Sequence, residues 1–285
     1  SSPDIMEFLR GNYDKVKNII FKKAHKIYAP LLKRENNLIF NLPCPRHDLF
    51  LKYNYRSPFV WKRKFATVIT DFGCPFNCTF CIIGTLGFKY RPVDNVMMEL
   101  RHLYRLGIRE LFFADQSFGV VRERNRDICL AMIKENFGFG WLCFSRVDLM
   151  DEYFLSLMKK SGCHTIIFGV ETANEDLLKH YKKKYTRQQV KHTFSLCRKL
   201  GIRTVGTFLL GLPEETESSA FETINFALEI KADFASFNVA VPRQGTELRL
   251  ETIRTGLVNP EVEIMDQSGQ DIVMPTKYIP KERMA

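Results

Sequence analysis

Beyond Trp61 the chain alternates between two hydrophobic patterns. Six short runs are almost continuously apolar and rich in Phe, Val, Ile and Thr: "FATVIT" (65–70), "ELFFA" (110–114), "WLCFS" (141–145), "TIIFGV" (165–170), "TVGTFLL" (204–210) and "FASFNVAV" (234–241). This is the pattern of parallel strands buried on both faces. Between them lie amphipathic segments of helical period, among them "VMMELRHLYRLG", "YFLSLMKKSG" and "VKHTFSLCRKLG". Each of these closes on a cationic turn followed by Gly107, Gly162 or Gly201, a helix C-cap running into the next strand. Thr186 followed by Gln189 predicts a capping box at the start of the last of them.

Six strand–helix units in series imply a parallel α/β sheet with right-handed crossovers. Two closures compete, an open doubly wound sheet and a barrel-like sheet of six units instead of eight. Polar residues decide between them. The strand ends, or the loops just beyond, carry Cys74, Cys78 and Cys81, then Asp115-Gln116, Ser145-Arg146, Glu171, Gly211 with Pro213-Glu214, and Pro242-Arg243. All six units deliver unusual residues to one edge, as a barrel does, whereas a doubly wound sheet gathers them at one switch point. The expected architecture is a partial (β/α)6 barrel over residues 65–256, a leader at 1–64 and a C-terminal extension at 257–285.

Composition narrows the class. No run of about 18 apolar residues occurs, and the N-terminus lacks the apolar core of a signal peptide, so a cytoplasmic protein with reduced thiols is expected. Eight cysteines in 285 residues are too dilute for a disulfide scaffold. The net charge of +10 is uneven: residues 1–64 hold 14 Lys/Arg against 5 Asp/Glu, the remainder 28 against 27. The basic leader could dock an acidic partner, a membrane surface or RNA; a solvated, partly helical lead-in over 14–34 is the simpler expectation. Only Phe21 and Tyr28 accompany its densest basic part, so no stacking platform for nucleic acid is expected.

The stretch "TDFGCPFNCTFCIIG" places three thiols at positions 74, 78 and 81 with no fourth close behind. Structural zinc closes on four ligands in paired spacings, which this is not. A [4Fe–4S] cluster fits better, with three irons held by thiolates and the fourth left an open face. Cys44, Cys129, Cys143, Cys163 and Cys197 show no paired spacing and are expected to pack as small hydrophobes. Cys163-His164, at a helix-to-strand turn, is expected on the side away from the mouth.

"CPFNCTFC" resembles the Cys-x3-Cys-x-aromatic-Cys signature of the radical S-adenosylmethionine (radical SAM) enzymes. "FFADQSF", "FSRVD", "IIFGVETANEDLLK", "TFLLGLPEET" and "VPRQGTEL" follow in the order and spacing of that family, and the resemblance covers about residues 40 to 256. It implies a partial barrel of six β/α units and an open iron chelated by S-adenosylmethionine. Reductive cleavage would then yield a 5′-deoxyadenosyl radical that abstracts hydrogen from a substrate. By position, Phe80 would pack on adenine, and Ala114-Asp115-Gln116 would stand where many members place Gly-Gly-Glu against the methionine ammonium. Asp115 or backbone carbonyls would make that contact. Ser145 would lie at the same mouth, Arg146 would face the carboxylate, Glu171 the ribose hydroxyls and Gly211 the adenine; a structural ion pair involving Arg146 and Glu171, between the two of them for instance, is the alternative.

The resemblance also implies a low-potential electron donor, a flavodoxin or ferredoxin. "NLPCPRHDLF" followed by "YNYRSPF" is similar to the linker of members carrying an N-terminal cobalamin-binding domain. Residues 1–64 are too short for one and contain no Asp-x-His-x-x-Gly segment, so cobalamin is expected through a domain not in this chain, with methyl transfer as the reaction; a stand-alone barrel whose leader merely resembles the linker, abstracting hydrogen without cobalamin, is the alternative. An RNA-modifying methylthiotransferase would require three further cysteines upstream and a C-terminal RNA-binding barrel. An electron carrier or a basic binding module could use the same cysteines without six polar strand ends.

Overall fold

The computed structural model describes residues 3–16, 19–29, 38–263 and 272–284. Contacts divide the chain between Leu38 and Ile39.

In the first unit, helix α1 (Pro3–Leu9) and a 3-10 turn precede an antiparallel hairpin of β1 (Phe21–Lys23) and β2 (Lys26–Tyr28). The hairpin replaces the partly helical lead-in expected over 14–34, of which 17, 18 and 30–34 lie outside the described residues. Its reason is a cross-strand pair: the Phe21 and Tyr28 rings stack at 5.0 Å, and Ala24 adopts a positive φ of 52° in the turn between them.

The second unit is built around β3 (Ala66–Val68), β6 (Glu110–Phe113), β7 (Gly140–Ser145), β8 (Cys163–Glu171), β9 (Arg203–Leu210) and β10 (Phe234–Val239). All neighbours are parallel, and their spatial order is the chain order, without reversal. A doubly wound sheet requires a reversal, so the barrel closure holds. Among the described residues both end strands keep a free edge, which makes the barrel partial. A hairpin of β4 (Asp71–Gly73) and β5 (Phe88–Tyr90) carries the three-cysteine loop after β3. Helices α2 (Val93–Arg105), α3 (Arg122–Glu135), α4 (Glu152–Lys160), α5 (Glu175–His180), α6 (Arg187–Lys199) and α7 (Glu217–Glu229) make the crossovers, and α8 (Glu247–Arg254) follows β10. Gly107, Gly162 and Gly201 take positive φ at the expected helix ends, and the Thr186–Gln189 capping box is present.

The main core lies between sheet and helices, with Trp141, Phe113, Phe118 and Phe154 fully buried. Cys129, Cys143, Cys163 and Cys197 pack in it as small apolar groups, and burial pushes the Cys129 thiol up to about 12. A smaller cluster of Leu142, Ile167 and Val205 meets Phe59 and Val60. Beside it the Trp61 ring stacks on His164 at 4.0 Å, and the Trp61 N–H donates to Glu110 Oε1 at 2.7 Å. Glu110 and Arg203 are the first residues of β6 and β9 and His164 the second of β8, so this segment closes the barrel floor opposite the mouth. Residues 39–64 therefore pack with the barrel: Asn95 of α2 bonds both the N–H and the C=O of Leu42, and Glu99 pairs with His47 and Arg91. Among the described residues, no helix is long and apolar enough to cross a membrane.

Residues 272–284 return onto the loop after β9, where Lys277 N–H donates to Pro213 O and Thr276 Oγ1 to Glu215 O. Glu215 is buried there, one carboxylate oxygen accepting from Gly211 N–H at 2.5 Å and the other without a partner. Burial pushes its carboxyl up to about 7 from 4.5, against the pull of that N–H. A carboxyl raised in the folded state costs no stability below about pH 4.5; the cost grows as pH rises and is complete above about 7. Glu215→Gln should therefore gain stability relative to the parent between pH 4 and pH 8, by up to about 3 kcal/mol. Urea melts at the two pH values check this, and a difference independent of pH would refute it.

Candidate active site

The three-cysteine loop is tied down at both ends. A side chain at Gly73 would run into the carbonyl of Gly87, which accepts from Cys74 N–H at 3.2 Å. Further along, Thr79 N–H donates to Tyr181 O at 3.4 Å, and Leu248 N–H to Thr79 O at 3.0 Å. The loop thereby lies across the mouth, with Cys74, Cys78 and Cys81 half-buried and in no disulfide. Burial pushes the Cys74 thiol up, and the neighbouring Cys78 and Cys81 add to this.

Spacing tests which metal group these thiols fit. Among the described residues, the one trio of His, Cys, Asp or Glu donors lying within 4.8 Å of one another is His180, Glu214 and Glu251, so the three Sγ atoms are spread more widely than that. A single zinc with Zn–S of 2.3 Å would need sulfurs about 3.8 Å apart. A polynuclear iron–sulfur group takes its thiolates farther apart than a single ion does, so three spread thiols match it. The His180 trio is a surface ion-pair network instead: Glu214 already accepts from Lys277 Nζ at 2.7 Å and from Tyr181 OH.

Against the thiols opens a cavity of about 230 Å³, lined by Phe76, Phe80, Gln116, Ser117, Ser145, Arg146, Glu171 and Lys183, with Phe144, Ile167 and Thr207 below. It brings together, with the cysteines, five of the eight residues expected around S-adenosylmethionine: Phe80, Gln116, Ser145, Arg146 and Glu171. Ser145 Oγ is engaged with Phe118 O at 2.7 Å.

Three expected residues are not on its wall. Asp115 turns into the protein, where Oδ1 accepts from Thr70 N–H at 2.5 Å and Asp71 N–H at 2.8 Å, and Oδ2 from Thr70 Oγ1 at 2.5 Å. Arg124 bonds Thr70 and Asp71 in turn, and burial together with Asp115 pushes Asp71 up to about 7. Asp115 is thus a brace between the end of β3 and the loop after β6, fully buried. Ala114 is bound to β3 through its N–H on Val68 O. Gly211 lines a separate cleft with Leu210, Val239, Ile279 and Met284, and the Met284 methyl occupies the space where a side chain would stand.

Arg146 and Glu171 do not pair with each other. Glu171 sits at a bulge between β8 and β9 with φ of 64°, a strained position that redirects its side chain to the cavity. Its carboxylate meets Lys183 Nζ at 2.7 Å, both side chains nearly buried. Burial alone would lower the Lys183 amine, but the Glu171 carboxylate overrides it and the amine is raised, hence charged. A Cβ at Gly169 would lie 2.5 Å from Glu171 Oε1, so the pair depends on that glycine. Arg146 forks onto Asp148, Nε to Oδ1 at 3.0 Å and Nη2 to Oδ2 at 2.9 Å, and Nη1 reaches Cys78 Sγ at 3.7 Å. Lys183, Asp148 and Ser117, whose buried Oγ has no protein partner, were not read from the sequence.

A partial parallel barrel with three loop thiols at its mouth defines the class, and the chain belongs to the radical SAM superfamily, whose sequence model matches residues 68–227. The superfamily uses a [4Fe–4S] cluster and S-adenosylmethionine. Over 211 residues the chain is 36% identical to an uncharacterized methyltransferase of Pyrococcus horikoshii, covering 73% of this chain and 45% of that one. It is 30% identical to cytidylyl-2-hydroxyethylphosphonate methyltransferase of Streptomyces wedmorensis, covering 73% and 41%. The chain thus spans less than half the length of either relative. Among solved structures, the cobalamin-dependent S-adenosylmethionine radical enzyme OxsB, with aqua-cobalamin and S-adenosylmethionine bound, shares the fold at a TM-score of 0.72 and 18% identity. That match covers 99% of this chain and 47% of OxsB. The methyltransferase TsrM from Kitasatospora setae matches at 0.63 and 18%, covering 77% and 46%.

Proposed function

We propose that this chain is the catalytic barrel of a radical SAM methyltransferase, and that the cavity between the cysteine loop and the strand ends holds S-adenosylmethionine. The observation that carries this is three spread thiols facing a buried Glu171–Lys183 pair across one cavity. A [4Fe–4S] cluster, when bound, supplies one electron for reductive cleavage of S-adenosylmethionine, with hydrogen abstraction from the substrate as its outcome. Cys74, Cys78 and Cys81 hold that cluster. Lys183 is the cation for the methionine carboxylate, oriented by Glu171, which also accepts from the ribose hydroxyls. Phe80 flanks the adenine, and Gln116, with backbone groups of the Ala114–Gln116 turn, serves the methionine end. Phe76, Phe144 and Ile167 exclude water from the reacting atoms.

Methyl transfer is supported by the methyltransferase relatives, and cobalamin, brought by a domain not in this chain, by the kinship with OxsB and TsrM. The reductant is an acidic low-potential carrier, a flavodoxin or ferredoxin, attracted to the basic leader. Free thiols and an oxygen-labile cluster call for a reducing compartment, the cytoplasm.

The test is anaerobic reconstitution with iron and sulfide, then assay for 5′-deoxyadenosine from S-adenosylmethionine and dithionite. The nucleoside should form with the cluster and not without it. A folded, cluster-loaded chain that binds S-adenosylmethionine and leaves it intact would remove the enzyme reading and leave an electron carrier.

A further inference from the structure

We infer that Arg146 is a positioning residue for the cluster: held by Asp148, it donates from Nη1 to Cys78 Sγ and thereby sets the potential at which the cluster accepts its electron. This rests on the cluster proposed at Cys74, Cys78 and Cys81.

The geometry singles out this role among those a cavity arginine could take. A guanidinium is a rigid planar fork. Here Nε and Nη2 are both occupied by the Asp148 carboxylate, and the remaining nitrogen is directed at the sulfur. The Arg146 side chain is 6% exposed, with Cζ 3.9 Å from the Phe76 ring centre and 5.4 Å from that of Tyr185. Packed between rings and anchored by two bonds, it is not free to swing toward a ligand carboxylate. Lys183 stands in the same cavity for that purpose.

The consequence is electrostatic. Reduction adds one electron, drawn from an external low-potential donor, and the added negative charge spreads over the sulfurs. A charge-assisted hydrogen bond to Cys78 Sγ is stronger in that state than in the oxidised one, so it raises the potential. Asp148 has two opposed effects: it fixes the fork, and its own anion partly offsets the field of the guanidinium at the cluster.

The experiment is a redox titration, followed by electron paramagnetic resonance, of the full chain reconstituted with iron and sulfide and without S-adenosylmethionine. Arg146→Met should keep its iron and lower the ratio of reduced to oxidised cluster about tenfold at fixed poise, equivalent to about 59 mV for a one-electron couple. Asp148→Asn, which keeps the shape and removes the anion, should shift the ratio the other way. The double variant should remain below the parent, because the sulfur bond is lost although the two charges cancel. Exchange into heavy water should remove a coupled proton signal in the parent that Arg146→Met lacks from the start. If Arg146→Met loses iron, Arg146→Lys, which keeps the charge but not the fork, should still lower the ratio. A parent-like potential in either Arg146 variant, or full return in the double variant, overturns the inference alone. Failure of the unsubstituted chain to take up iron overturns it together with the proposed function.

Discussion

Alanine at any one of Cys74, Cys78 and Cys81 should take the reconstituted chain from about four irons to nearly none, while leaving it folded. The three residues are half-buried in a loop held by backbone bonds on either side, from Cys74 N–H to Gly87 O and from Leu248 N–H to Thr79 O. None belongs to the apolar core, so losing a thiol removes a ligand and little packing. Two thiolates cannot hold a cubane that already depends on a non-protein ligand at its fourth iron, so the loss should be all or nothing. Cys143→Ala and Cys129→Ala are the controls. Both thiols are fully buried in the core, and their removal should cost stability while iron is retained. Iron and acid-labile sulfide analysis with a melting curve separates the two outcomes. Stoichiometric zinc with no iron uptake would falsify the cluster, as would a loop variant that keeps all its iron.

How much of this site can be read from the chain depends on which physical signal marks each residue. The strands are legible because parallel strands packed between layers leave long apolar runs; β10 keeps that apolar character although, at the end of the sheet, it is largely exposed and not buried on both faces as its sequence suggests. The thiol loop is legible because its spacing is rare. Lys183 is not: it stands between Lys182 and Lys184, and what separates it from Lys182, which pairs with Glu247 at the surface, is one step of chain direction after α5. Asp148 is hidden for a similar reason, as an acid two residues past Arg146 that reads as solvated until the chain turns it back. Asp115 shows the converse. Side chains alternate in direction where a strand ends, so of two adjacent polar residues Gln116 reaches the cavity and Asp115 the interior. A polar residue at the right position is a reliable sign of the mouth, and a poor guide to which way it faces. The leader hairpin escapes the sequence because its two strands are three residues each and strongly basic, too short to set a period against the helical one.

Lys183→Met should weaken S-adenosylmethionine binding more than any other single change on the cavity wall. The substitution removes one charge-assisted contact, worth on the order of 1.5–3 kcal/mol, or roughly ten- to a hundredfold in affinity. It also leaves the Glu171 carboxylate unpaired in the cavity, opposing a ligand carboxylate at short range. Glu171→Gln should cost less in binding, because Lys183 keeps its charge. Each single variant should also lose stability, since removing one partner of a buried pair strands the other, at a typical cost of about 3–5 kcal/mol. The double variant Glu171→Gln/Lys183→Met separates site from scaffold. With neither charge stranded it should recover much of the stability and shed the repulsion from Glu171, yet still bind S-adenosylmethionine roughly tenfold more weakly than the parent, because the Lys183 contact is gone. Equilibrium binding and thermal melts on the iron-loaded variants read the two quantities independently. Parent-like affinity along with restored stability in the double variant would make the pair a brace for the bulge at Glu171 and move the methionine carboxylate elsewhere in the cavity. Lost affinity with restored stability places the Lys183 ammonium in contact with the ligand.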